Sequence, residues 1–75
     1  MNELKLGQYR HYKGKLYEVV GVARHSETLQ ELVVYKALYR NEFGEGSLWV
    51  RPKDMFMEDV FFDGKKQPRF AYIGG

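Results

Sequence analysis

Two histidines, each preceded by an arginine, are the first residues of this 75-residue chain whose types suggest chemistry: Arg10-His11 and Arg24-His25. Close together, two imidazoles would form a basic site or supply two ligands to a metal. A turn around Gly14 predicts instead that residues 8–12 and 16–24 form an antiparallel hairpin. A three-residue turn at 13–15 would place Arg10 opposite Glu18, with the two dipeptides about 20 Å apart along the hairpin. We therefore expect two separate sites.

Catalytic and metal chemistry find little support in the remaining residues. His25-Ser26-Glu27 contains the residue types of a hydrolytic triad, but neighbours on an extended chain point to opposite faces and cannot align for catalysis. The chain has no cysteine, and its carboxylates follow no metal-binding spacing. No glycine-rich loop opens a helix in the way that phosphate cradling requires. We expect no metal and no cofactor, and a catalytic function is the least supported class.

A binding surface is the better supported prediction. In a small barrel, the loop of residues 23–28 should approach the corner of residues 48–52 and form one concave patch of Arg24, His25, Glu27, Trp49 and Arg51. An exposed tryptophan beside an arginine can stack on a base, a proline or a cation. The alternative is that Trp49 belongs to the core and that Arg51 pairs with a nearby carboxylate. Strand alternation admits both, because Trp49 faces away from Leu48 and Val50.

A second, basic and aromatic patch is predicted from the two ends of the chain. Residues 1–25 contain five Lys or Arg and two acids, residues 26–63 four and eight, and residues 64–75 three and none. If the terminal strands pair, Tyr9, Arg10, Lys13 and Arg69 come together, a composition used by single-strand nucleic-acid binders. Tyr12 lies on the opposite strand face from Tyr9, so at least one of these two rings should be buried.

Length and composition predict one small domain, residues 1–75, with its folded core at about 6–73. Without disulfides or thiolate metal sites, the twelve aromatic residues are expected to supply the core. The absence of cysteine favours a reducing compartment. Neither a signal peptide nor an apolar run of membrane-spanning length is present. We expect a cytoplasmic protein with no membrane partner.

The spacing of turn signals predicts an all-β fold. Strands are expected at 8–12, 16–24, 32–39, 48–50, 60–62 and 69–73, with Gly21 marking a bulge and Asp63-Gly64 a hairpin turn. Pro52 suits the start of a short helix from which Met55 and Phe56 would close one end of the barrel. Five or six antiparallel strands with one helical turn predict an SH3-like barrel. An OB-like barrel and an open curled sheet are the alternatives.

Several motifs together resemble a known family. They are GQYRHYKG at 7–14, YEVVGVARHSET at 17–28, LVVY at 32–35, LWVRP with MF at 48–56, and RF at 69–70. Nearly the whole chain is similar to a family of bacterial domains of about 70 residues, a domain of unknown function. The resemblance implies an SH3-like barrel and supplies no activity or site residue.

The expected function is therefore a non-catalytic binding module. A protein or peptide segment, held by the 23–28 loop and the 48–52 corner, is preferred as its ligand. The alternative is RNA or single-stranded nucleic acid, bound by the basic ends of the chain.

Overall fold

The structure, a computed structural model, describes residues 4–74, so the ends of the predicted 1–75 domain lie outside the described residues. Strands and one short helix follow each other along this part of the chain. They are β1 (Gly7–His11), β2 (Leu16–Arg24), β3 (Glu31–Ala37), β4 (Arg40–Asn41), β5 (Gly44–Glu45), β6 (Leu48–Pro52), α1 (Lys53–Phe56), β7 (Asp59–Phe62), β8 (Lys65–Pro68) and β9 (Phe70–Gly74). The predicted all-β class is confirmed.

Five of the strands form one antiparallel sheet in the order β6-β3-β2-β1-β9. The two ends of the described chain therefore pair, since β9 lies beside β1. The strand pairs β4-β5 and β7-β8 form separate two-stranded ribbons. Helix α1 comes after the fourth strand of the main sheet and before the fifth. This order is consistent with the expected SH3-like barrel.

The core consists of alternate residues on the concave face of the sheet, closed by a residue of α1. Its buried members are Tyr9, Val19, Val33, Tyr35, Phe56 and Phe70. Phe56 is 1% exposed and stacks on Phe70 with ring centroids 4.1 Å apart. Four of the six are aromatic, because such rings fill a small interior with few residues. As predicted, Phe56 packs into the core, whereas Met55, predicted to do the same, stays 45% exposed.

The predicted bulge at Gly21 is present, since the β2-β3 register shifts between Val19 and Gly21. The predicted β1-β2 register is wrong by two residues, because Arg10 lies opposite Leu16 and not Glu18. The reason is the turn. His11 donates its N–H to the Lys15 carbonyl and accepts from the N–H of Gly14, so the loop comprises residues 12–14.

The chain after Asp63-Gly64 also differs from the prediction. Both residues have positive φ and form the expected hairpin turn. The hairpin partner of β7, however, is β8, an additional strand. The predicted last strand is present as β9, which pairs with β1. Sequence patterns did not reveal β8, because its residues Lys65, Lys66, Gln67 and Pro68 have low strand propensity.

Candidate functional site

The two histidines have the same local role in different places. The Nδ1 atom of His11 accepts the backbone N–H of Lys13 at 3.1 Å, and that of His25 accepts the N–H of Glu27, also at 3.1 Å. Each imidazole thus holds the turn that follows its strand, as an Asn or Asp side chain commonly does. His11 lies near the start of β2 and His25 just past its end. The prediction that the two dipeptides form no common site is confirmed.

The polar side chains of residues 24–28 form hydrogen bonds mainly with the backbone of the same loop. The Arg24 guanidinium donates to the carbonyl of Leu29 at 2.8 Å. Leu29 itself has φ +64°, and its N–H is held by the carbonyl of His25. Glu27 is exposed. The loop is therefore a turn held by its own hydrogen bonds, and no helix forms in it.

Trp49 and Arg51 lie on the concave face of β6, opposite Tyr35 and Val33 of β3. Trp49 is 37% exposed, packs edge-on against Phe43 at 5.4 Å and donates its indole N–H to Ser47. Trp49 is therefore an exposed side chain outside the buried core. The alternative that Trp49 belongs to the core is wrong, and Arg51 forms no ion pair within residues 4–74.

The five residues predicted to form one patch are not all brought together. Arg24 is opposite Glu31 at one end of β3, whereas Trp49 is opposite Tyr35, four residues or about 14 Å along the strand. The contact between the loop end and the corner is an ion pair of Glu31 with Lys53, 3.8 Å apart. Trp49 thus lies well along β3 from the loop that contains Arg24, His25 and Glu27.

Tyr9, which was predicted to belong to the second patch, is buried. Tyr9 is 6% exposed, its ring meets Phe56 edge-on, and its hydroxyl donates to the carbonyl of Lys5. The ring is therefore unavailable for stacking on a ligand. Arg10 and Lys13 remain exposed, while the Arg69 guanidinium pairs with Glu58 at 3.1 Å. The expectation that Tyr9 or Tyr12 is buried is confirmed for Tyr9.

A different group of side chains surrounds Arg51. We call it the aromatic–cationic face, made of His11, Tyr17, Tyr35, Arg51 and Phe70. The Arg51 Nε donates to the Tyr35 hydroxyl at 3.4 Å, and the guanidinium lies 5.8 Å from the centre of the Phe70 ring. The Tyr17 ring packs edge-on against Tyr35 and Phe70, and His11 packs edge-on against Phe70. Tyr35 and Phe70 form a buried floor, and the other three are half-buried.

The electrostatics of this face favour an anionic ligand. Burial lowers the pKa of His11, and the charges of Arg51, Arg69 and Lys13 lower it further. Its imidazole is neutral at pH 7, with the proton on Nε2 because Nδ1 is an acceptor. Burial also raises the pKa of Tyr17, whose hydroxyl is hydrogen-bonded to that of Tyr39 at 2.8 Å. The face therefore presents one cation, Arg51, and neutral donors.

Arg51 forms no ion pair with any carboxylate of residues 4–74. An arginine without a carboxylate partner, bordered by aromatic rings, can bind a carboxylate or phosphate by two parallel hydrogen bonds. Sequence patterns pointed to Arg51 and Trp49 but missed His11 and Tyr17, which lie near Arg51. Alternation along β2 places Tyr17 on the same face as Val19, and that signal could have found it.

Neither a metal-binding cluster nor a membrane-spanning helix occurs in the described part of the chain. No group of three or more potential metal ligands occurs among the side chains of residues 4–74. The helix present in this range, α1, has four residues, and no described helix is long and apolar enough to cross a membrane.

Comparison with known proteins identifies the family. A family model described as "Protein of unknown function (DUF1653)" matches residues 7–72. The chain belongs to the DUF1653 family. A crystal structure of a DUF1653 protein from Bordetella bronchiseptica is similar to this domain, with 39% identity and a TM-score of 0.88 over 96% of this chain and 90% of that one. Comparison of the DUF1653 chain with curated proteins gave no significant match.

Proposed function

We propose that this DUF1653 domain is a non-catalytic module, acting in the cytoplasm, that binds a protein or peptide segment carrying a carboxylate. Arg51 is the anchor for the carboxylate, and Trp49 packs against the residues beside it. Both lie on the concave face of β6, two residues or about 7 Å apart, which is the spacing of alternate side chains in an extended peptide.

The observation that carries this proposal is the environment of Arg51. Its Nε donates to the Tyr35 hydroxyl, and the guanidinium carbon lies 5.8 Å from the centre of the Phe70 ring. No other hydrogen bond from the guanidinium is formed within residues 4–74, so its remaining N–H groups are available. A guanidinium held in one orientation loses little side-chain entropy when a carboxylate binds.

A peptide fits this face better than a nucleic acid. Single-strand binders stack successive bases on exposed rings, but Tyr35 and Phe70 are only 5% and 6% exposed. Trp49, on the same strand as Arg51, presents a partly open ring beside it. The net charge of +2 is also small for a protein that must neutralise several phosphates.

RNA or single-stranded DNA stays the second candidate because Arg10, Lys13 and Lys15 are exposed around the β1-β2 turn. A titration with mixed-sequence oligonucleotides at several salt concentrations tests it. Binding through phosphates predicts a log-log slope of about −0.7 per neutralised phosphate. Such a slope, reduced in a Lys13→Gln variant, would replace the peptide proposal by this one.

The peptide proposal is tested with an array of twelve-residue peptides that have Asp or Glu at one fixed position and random residues elsewhere. A matched array has Asn or Gln at that position. Selected peptides are then titrated in solution, with the fluorescence of the single tryptophan, Trp49, as the signal. We expect selection from the acidic array, with a fluorescence change on binding.

Arg51→Gln should weaken binding of the selected peptides at least about tenfold, because a hydrogen bond to a charged group contributes about 1.5–3 kcal/mol. Arg40→Gln is the matched control, since Arg40 is exposed on β4 outside the aromatic–cationic face. Equal binding by the two variants, or equal selection from the acidic and amide arrays, would contradict the proposal.

A further inference from the structure

Strand β6 is one edge of the five-stranded sheet. Within residues 4–74 it pairs with β3 on one side and with no strand on the other. Ala37 donates its N–H to the Ser47 carbonyl, so the odd-numbered residues of β6 bond to β3. The N–H and C=O groups of Leu48 and Val50 therefore point to the open edge. Such an edge is a template for another strand.

The apolar side chains on the outer face of β6 are also unusually exposed for an edge strand. Leu48 and Val50 lie on the outer face of the sheet and are 63% and 59% exposed, whereas Val34, which lies beside Val50 on β3, is half-buried. The usual protections of an edge strand are lysines, bulges and prolines within it. On its outer face β6 has no charged residue, and Pro52 stands only at its end.

We propose that a second copy of this chain pairs with β6, antiparallel and about a two-fold axis at Val50. In this register Val50 lies beside Val50 of the second copy. Leu48 lies beside Pro52 of the second copy on the outer face, and Trp49 beside its Arg51 on the concave face.

Each of these cross-strand neighbours is chemically matched. Two β-branched residues and an aliphatic–proline pair cover the exposed apolar side chains. The Trp49 ring gains a guanidinium from Arg51 of the other copy, a favourable cation–π contact. Such self-complementarity is what a two-fold interface requires, and it favours a second copy over an unrelated strand.

The backbone fits the same register. The Val50 N–H of each copy donates to the Val50 carbonyl of the other, and the Leu48 N–H donates to the Pro52 carbonyl. Pro52 has no N–H to continue the ladder, so the pairing ends there. A register centred on Trp49 would instead leave Arg51 and Pro52 opposite residues 46–47, beyond the start of β6. Because the interface is one short strand, the dimer should be weak.

Disulfide cross-linking tests the register directly, because the chain contains no cysteine. In an antiparallel hydrogen-bonded pair the Cα atoms are about 5.5 Å apart, within the range that a disulfide spans. Val50→Cys should therefore give a covalent dimer under mild oxidation. Leu48→Cys is the matched control of similar exposure, since Cα48 atoms would be about 14 Å apart in this register. Equal yields from the two variants would overturn the proposal.

Sedimentation equilibrium without cross-linking tests the association itself. The mass of the unmodified chain should rise from 8.9 kDa towards twice that value as the protein approaches millimolar concentration. Val50→Lys should remove the rise and leave the circular dichroism spectrum unchanged, because Val50 is largely exposed. A constant monomer mass for the unmodified chain would refute the dimer. Val50→Lys should still bind the selected peptides, because Val50 lies on the opposite face of β6 from Arg51 and Trp49, so either proposal can fail without the other.

Discussion

Replacing Phe56 by alanine examines how α1 is held in place. The helix has only four residues and no side-chain hydrogen bond at its N-cap, so local interactions alone do not stabilise it. The Phe56 ring is 1% exposed, lies 4.1 Å from Phe70 in a parallel stack, and also contacts Tyr9 and Tyr35. We therefore expect this one ring to anchor the helix and to close the core.

The size of the effect follows from burial. Truncation of a buried Phe to Ala costs about 3–5 kcal/mol, because transfer free energy is lost and a cavity remains. A domain of 75 residues has a free energy of unfolding of about 4–11 kcal/mol. Phe56→Ala should thus remove between about a quarter of the stability and all of it. The melting temperature should fall by at least about 12 °C.

Urea unfolding, followed by the fluorescence of Trp49, provides the measurement. Phe61→Ala is the matched control, since it removes the same side-chain atoms from an exposed position. The Phe61 side chain is 79% exposed, and its loss should change the free energy of unfolding by less than about 0.5 kcal/mol. If Phe56→Ala does not fold, Phe56→Leu should still be clearly less stable than Phe61→Leu. Equal midpoints for the paired variants would show that Phe56 does not anchor α1 in the core.

Two further changes have outcomes that the structure predicts. Since the pKa of His11 is lowered below its unfolded value of about 6.5, the unfolded chain binds the proton more readily, and stability should decline as pH falls below 6.5. His11→Asn keeps an acceptor for the turn and should make denaturation midpoints between pH 5 and 7 less dependent on pH, and an unchanged profile would contradict this role. Gly14→Ala should destabilise by about 1 kcal/mol or more because φ is +103°, whereas Gly21→Ala, with ordinary φ and open space at Cβ, should be close to neutral in thermal melts. Equal losses at both glycines would contradict the assigned turn.

Hairpin turns and alternation predicted much of the fold. Positions of β2, β3, β6 and β9 follow from β-branched and aromatic residues bounded by turn residues, and those are local properties of a chain. The bulge at Gly21 and the burial of Phe56 were also predicted from local sequence patterns. The β1-β2 register was not, because a three-residue loop can close at more than one pair of positions. Hydrogen bonds that His11 donates to Lys15 and accepts from Lys13 and Gly14 selected the pair actually used.

The sequence by itself determined that this is a small all-β domain with an aromatic core and with two Arg-His dipeptides that stay apart. Only the tertiary structure decided which surface residues are neighbours. Arg24 and Trp49 proved to lie about 14 Å apart along β3, whereas His11, Tyr17 and Arg51 came together from three strands. Contacts between strands distant in sequence depend on curl and register, and these are properties of the whole sheet that no local pattern encodes.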